Sequence, residues 1–102
     1  MKLTDKQKLK MDEYGIPERM HGAIIRYYER GIPPGDFLSA VIDNDLFRAV
    51  AYGDSENIHT LRSYVLWFFN QAPGGTAGFK GATKKWCDEV AVEALKDEHE
   101  PT

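Results

Sequence analysis

The feature that most constrains this chain is its punctuation. Glycines, prolines and cap residues recur at intervals that cut it into helix-length pieces and leave little room for strands. Thr4 followed by Gln7 has the spacing of a capping box and predicts a first helix ending at Gly15. Pro17 then suits a first-turn position, and Glu18 suits the positive end of a second helix that stops at Gly31. Met20, Ala23, Ile24 and Tyr27 repeat at helical spacing and form its inward stripe. Ile32-Pro33-Pro34-Gly35 reads as a rigid connection. Asp36 is the expected N-cap of a short third helix, with Phe37, Ala40 and Val41 inward.

Asp43-Asn44-Asp45 interrupts that helix, because short polar side chains compete for their own backbone. Asp45 caps a following segment, Leu46–Tyr52, ended by Gly53. Asp54 or Ser55 caps the next helix, read as continuous, as the most apolar and as the longest. Ile58, Leu61, Val65, Phe68 and Phe69 share one side of it, and Trp67 falls on the other beside Thr60, Ser63 and Asn70. A glycine-rich loop from Pro73 to Gly81 follows. Thr83 caps or begins a last helix with Trp86, Val90 and Ala94 inward, fraying from about His99. The expected fold is therefore all-α: a compact bundle of about five to six short helices, with residues 1–102 forming one domain.

Composition agrees. A hydrophobic fraction of 42% and an aromatic fraction of 12% suit a folded globule, and 102 residues can bury a core without staples. Net charge is -3, so binding of nucleic acid through bulk electrostatics is not expected. The lysines near the start and the acids Asp97, Glu98 and Glu100 read as solvated ends. The lone Cys87 fits a reducing compartment; without a leader-like or membrane-length apolar run the expected location is cytoplasmic.

Over its central half the chain resembles a known group. The pattern Tyr28-x-x-Gly31-Ile32-Pro33-Pro34-Gly35-x-Phe37-Leu38-x-Ala40-Val41, then Asn44-Asp45-Leu46, Asn57, Phe69-Asn70-x-x-Pro73 and Gly78, is similar to small accessory proteins of tailed bacteriophages and prophages. The first and last helices match less clearly. The resemblance implies a setting: a cytoplasmic protein acting inside an infected bacterium, as an anti-defence or regulatory factor that occupies a host protein or sequesters a nucleotide signal. It brings no activity and no site.

The sharpest chemical hint is residues 64–85, an aromatic helix running through the loop onto the start of another helix. Glycines let backbone N–H groups approach a phosphate, a helix N-terminus favours anions, and Lys80, Lys84 and Lys85 add charge. The loop lacks the Gly-Lys-Ser/Thr ending of a Walker A motif, and no strand precedes it. The alternative is a flexible connection with solvated lysines. Arg26 and Arg30, four apart, have the spacing of a phosphate or carboxylate clamp, or pair with Glu29 and Asp36. Tyr28 and Trp67 depart from their neighbours' stripe and so offer stacking faces or apolar bulk. Asn70 either satisfies loop carbonyls or reads a ligand edge.

The candidate ligand-binding set is Arg26, Tyr28, Arg30, Trp67, Asn70, Gly75, Thr76, Lys80, Thr83 and Lys84. Asp36, Asp43 and Asp45 read as caps, since their spacing is not that of a calcium loop. His21, His59 and His99 are scattered, so zinc is not expected. With no nucleophile motif, neither catalysis nor a cofactor is expected. Two readings result. One is capture of a small nucleotide-type ligand, with a homo-oligomer interface helping to build the pocket. The other is an inhibitor or adaptor that docks on a host protein through an apolar patch centred on Trp67.

Overall fold

Each helix starts and stops for a local reason. In the computed structural model, residues 2–99 are described, with side chains through residue 96. The elements are α1 (Asp5–Glu13), α2 (Glu18–Arg30), α3 (Asp36–Ile42), α4 (Leu46–Tyr52), α5 (Ser55–His59), α6 (Leu61–Asn70) and α7 (Ala82–His99), with no strand among the described residues. The Thr4–Gln7 capping box closes the start of α1 in both directions. Gly31 ends α2 in the left-handed region at φ 65°, and a Cβ there would stand 2.8 Å from Val90 Cβ, so glycine is needed for both torsion and space. Asp45 caps α4 through the Arg48 N–H. Asn44 just before it takes φ 58°, which turns α3 back onto α4.

Several expectations need correction. Gly35, not Asp36, is the cap of α3, and Asp36 sits in the first turn, where a carboxylate favours the positive helix end. The long apolar helix is broken in two at Thr60 (φ -105°, ψ 14°), which closes α5 and opens α6. The Thr60 hydroxyl donates back to the Glu56 carbonyl at 2.9 Å, the kind of back-bond that bends helices. That break accounts for a seventh helix, and it leaves α7, at 18 residues, as the longest. The fraying expected beyond His99 concerns residues 100–102, which lie outside the described residues.

The third correction is the phase of α6. Its buried residues are Tyr64, Trp67 and Phe68, while Val65 and Phe69 of the expected inward stripe face solvent. The winning side carries the larger rings, and their polar ends find partners. Trp67 Nε1–H donates to the Gln7 carbonyl at 2.9 Å, and the Tyr64 hydroxyl donates to Asn57 Oδ1 at 3.1 Å. Burying rings of this size outweighs burying Val and Phe, provided the N–H and O–H are paired.

Helix α3 is the hub, packing against α4, α6 and α7; α2 packs against α1 and α7. The core joins Met11, Ile24, Leu38 and Ile42 to an aromatic cluster of Tyr27, Tyr28, Trp67 and Phe68, with Trp86 packed on its edge. Ring centroids within it lie 4.8 Å (Tyr27–Tyr28) to 6.4 Å (Tyr28–Phe68) apart, the range in which tilted and edge-to-face contacts are favourable. No buried side-chain nitrogen or oxygen among the described residues lacks a partner. Trp86 and Val90 of α7 rest against this body, but Ala91 to Lys96 are all exposed, so Ala94 is not the inward residue its spacing suggested. The helix runs past the body, and the molecule measures 49 × 27 × 21 Å.

Candidate functional site

The loop is the place to begin, because its glycines suggested mobility and an anion nest. It is instead tied down. The Gly78 N–H donates to the Ile42 carbonyl at 2.7 Å, and Thr76 Oγ1–H donates to Pro73 O at 2.6 Å. With that proton committed, the Tyr28 hydroxyl is the donor in its 3.0 Å bond to Thr76 Oγ1. The Tyr27 hydroxyl reaches the carbonyls of Thr76 (3.2 Å) and Ala82 (3.4 Å). Trp86 Nε1–H closes the circuit on the Tyr27 carbonyl at 2.8 Å. Burial pushes the Tyr28 phenol up to about 12, against the opposing pull of the Thr76 hydrogen bond. Burial raises the Tyr27 phenol as well, with the neighbouring Tyr28 adding to it. Both hydroxyls are neutral donors at neutral pH.

These contacts decide the fate of the candidate ligand residues. Tyr28 and Trp67 are both 0% exposed, so neither offers a stacking face. Thr76 is buried and serves as the socket for the tyrosines. The Thr83 N–H, at the start of α7, donates to Asp43 Oδ1 at 2.8 Å, so a carboxylate already occupies the place proposed for a phosphate. Lys84 is exposed and paired with Asp88 one turn on; that hydrogen bond and charge push its ammonium pKa up. Lys85 is likewise paired with Glu89. Gly75 is exposed at φ 75°, a turn torsion that leaves open space around it. Asn70 is exposed at the end of α6.

The cations do not form a cradle. Lys80 lines an open groove with Asp43, Asp45, Leu46, Phe47 and Arg48, and neither Arg26 nor Arg30 lines it. Arg26 lies over its own helix, its Nη1 2.9 Å from where a Cβ at Gly22 would sit. Arg30 is exposed near the end of α2. Their expected partner Glu29 instead binds Lys8 at 3.3 Å and accepts from the Leu3 N–H at 3.1 Å, tying Leu3 and α1 to α2.

What the structure does assemble is apolar. Between α3–α4 on one side and α6 with the loop on the other runs a groove. One part, a hollow of about 240 Å³, is lined by Val41, Asn44, Val65, Phe68, Phe69, Ala77 and Gly78. The adjoining part shares Val41, Asn44 and Val65 and adds Ala40, Leu46, Ala49 and Leu61. Phe69 stands at one lip, 84% exposed, and Phe47 projects from α4, 87% exposed. Leu46, which lines the adjoining part, is itself 62% exposed. Sequence reasoning missed this face by placing the apolar patch on Trp67. The available signal was Leu46-Phe47 directly after a cap, two large apolar residues in a helix too short to bury both.

Among the described residues no cluster of His, Cys, Asp or Glu could hold a metal ion, and no helix is long and apolar enough to cross a membrane. Cys87 is half-buried, and burial followed by the nearby Asp88 pushes its thiol up, away from the reactive thiolate. No family model, no curated protein and no solved structure matches this chain.

Proposed function

We propose that the protein is a non-catalytic docking module, an inhibitor or adaptor that takes an amphipathic helix of another protein into the groove between α3–α4 and α6. In the setting that the bacteriophage resemblance implies, that partner is a host protein. One observation carries the reading. A chain whose described residues leave no buried polar side-chain atom unpaired nevertheless holds Phe69 almost fully in water at the lip of a concave apolar surface, with Phe47 of the adjoining α4 equally exposed. Contiguous apolar surface of this kind, rimmed by polar groups, marks an interaction site. The hollow, at about 240 Å³, falls below the roughly 300–1,000 Å³ of small-molecule pockets. It suits side-chain anchors from a helix laid along it.

The rim states the chemistry of the partner. Asp43 is held by the Thr83 N–H, and Asp45 by the start of α4 and by Arg48 at 3.6 Å. The charged side chain that lines the groove, Asp45, is offset by Arg48, so recognition rests on the apolar walls. An occupant with leucine-like anchors at i, i+3 or i+4, and i+7 is complementary. The test is fluorescence anisotropy of a labelled helical peptide of that design, titrated with wild-type protein and with Phe69→Glu. Binding weakened by roughly tenfold or more in the variant, whose exposed site leaves folding intact, is the expected result. Equal binding by both proteins, or none by the wild type, overturns the reading.

A further inference from the structure

One buried polar side chain is only half used by the fold. Asn57 of α5 is 7% exposed. Two contacts pin it. Its backbone N–H donates to Asp54 Oδ1 at 2.8 Å, and its side-chain Oδ1 accepts from the Tyr64 O–H at 3.1 Å. The second bond sets which way the amide points, because a donating hydroxyl must meet the oxygen. The side-chain N–H2 is left without a partner among the described residues. No side-chain nitrogen sealed from solvent goes unpaired there, so this N–H2 is reached from outside.

The space that Asn57 borders is an open pocket of about 450 Å³, walled by Met20 of α2, Phe37 of α3 and Tyr52 of α4. It shares no lining residue with either part of the groove beside α6. Its volume lies within the roughly 300–1,000 Å³ of small-molecule sites, and its walls follow their pattern, apolar and aromatic around a few fixed polar groups. Two charged side chains line it, Arg19 and Asp36, and their charges cancel. Arg19 is moreover held by Glu56 at 2.9 Å and by Asp54 at 3.5 Å. The lining therefore carries no net charge with which to select an ion. What it offers is a recessed N–H2 that needs an acceptor, beside the half-open ring of Tyr52.

We propose that this pocket binds a small, uncharged, flat-ringed molecule that bears a carbonyl oxygen. The oxygen accepts from the Asn57 N–H2, and the ring lies against Tyr52 and Met20. The site is independent of the helix-binding groove and adds a second, small-molecule ligand to the molecule.

Titration of the full chain with benzamide, followed by proton–nitrogen correlation NMR, tests it. The expected result is saturable movement of the Asn57 side-chain N–H2 signals, with a Kd of about 1 mM for a ligand of so few atoms. Benzamidinium has the same shape but carries a positive charge and no acceptor oxygen, and it should bind roughly tenfold more weakly. Asn57→Asp keeps an oxygen for the Tyr64 O–H and removes the N–H2, and should weaken benzamide roughly tenfold. Tyr52→Ala, at an exposed position that leaves folding intact, should weaken it severalfold, and Phe69→Glu should bind it as wild type does. Asn57 signals that stay still at roughly ten times that concentration overturn the proposal. So do benzamidinium binding as tightly as benzamide, Tyr52→Ala binding as well as wild type, and signal movement confined to Val65 and Phe69. None of these results bears on the helical-peptide titration, which reads the groove alone.

Discussion

Between Pro73 and Gly81 the chain is rich in glycine and without regular helix, yet it is gripped at Thr76 and Gly78 by Tyr27, Tyr28 and the end of α3. Beside it, α4 and α6 are regular helices, yet they hold Phe47, Leu46, Val65 and Phe69 in water. Order and openness are distributed against composition. What fixes a segment is whether its polar groups have partners in a dry interior, and what makes a binding face is apolar area left over once the core is full. The loop is scaffold and the helices are the working surface.

The sharpest way to break that comparison is to truncate one aromatic from each side of α6. Trp67→Ala removes the largest fully buried side chain and orphans the Gln7 carbonyl contact that docks α1. It should cost about 3–5 kcal/mol of unfolding free energy. Phe69→Ala, two residues on, should change stability by no more than about 0.5 kcal/mol. Urea denaturation of the two variants reads both numbers. Comparable losses would mean that Phe69 belongs to the core and that the groove has no free lip.

Next in size is the loop. Thr76→Val keeps the shape but leaves the Tyr28 hydroxyl and the Pro73 carbonyl without their partner, a loss of about 1–3 kcal/mol. Hydrogen exchange at the Gly78 N–H should quicken by more than exchange in α2, because the loop opens before the body. The same clamp predicts alkaline sensitivity. Burial raises the phenols of Tyr27 and Tyr28, so the folded state holds their protons more tightly than the unfolded chain does. That stability is complete below the ordinary phenol value near 10.0 and is lost as pH climbs toward the folded Tyr28 value of about 12. A melting temperature that falls steeply above pH 10 in wild type, and less steeply in Tyr28→Phe, is the expected pattern.

The helix boundaries were legible because each depends on one or two residues acting locally: Thr4 with Gln7, Gly31, Asp45 and Gly53 all end or begin helices where their chemistry requires. The phase of α6 was not. A periodicity count weighs Val65 and Phe69 like any apolar residue, and it runs straight through Thr60 as if the helix were continuous. Which side is buried depends on acceptors far away in sequence, the Gln7 carbonyl for Trp67 and Asn57 for Tyr64. The site failed for a related reason. Lysines, arginines and glycines can be found by type, but whether they converge is set by the packing of α2, α3 and α7. Here Asp43, read correctly as a cap, closes the start of α7 from forty residues away.

The smallest effect concerns the attachment of residues 2–13 to the body, where a polar tie outside the core helps to hold α1. Glu29 accepts from the Leu3 N–H and pairs with Lys8. Desolvation alone would raise its carboxyl, but the Leu3 and Lys8 contacts outweigh it and hold the group below its ordinary value of 4.5. The tie therefore contributes above that value and is lost as pH falls through the lower, folded one. For a pair this open to solvent, Glu29→Gln should cost only about 0.2–1 kcal/mol at neutral pH. The gap between variant and wild type should narrow in high salt and close in acid, where wild-type Glu29 is itself neutral. Thermal melts of the two proteins at both pH values check it. A gap that persists unchanged in acid would show that the amide is disturbing packing, and that charge at Glu29 has no part in seating α1.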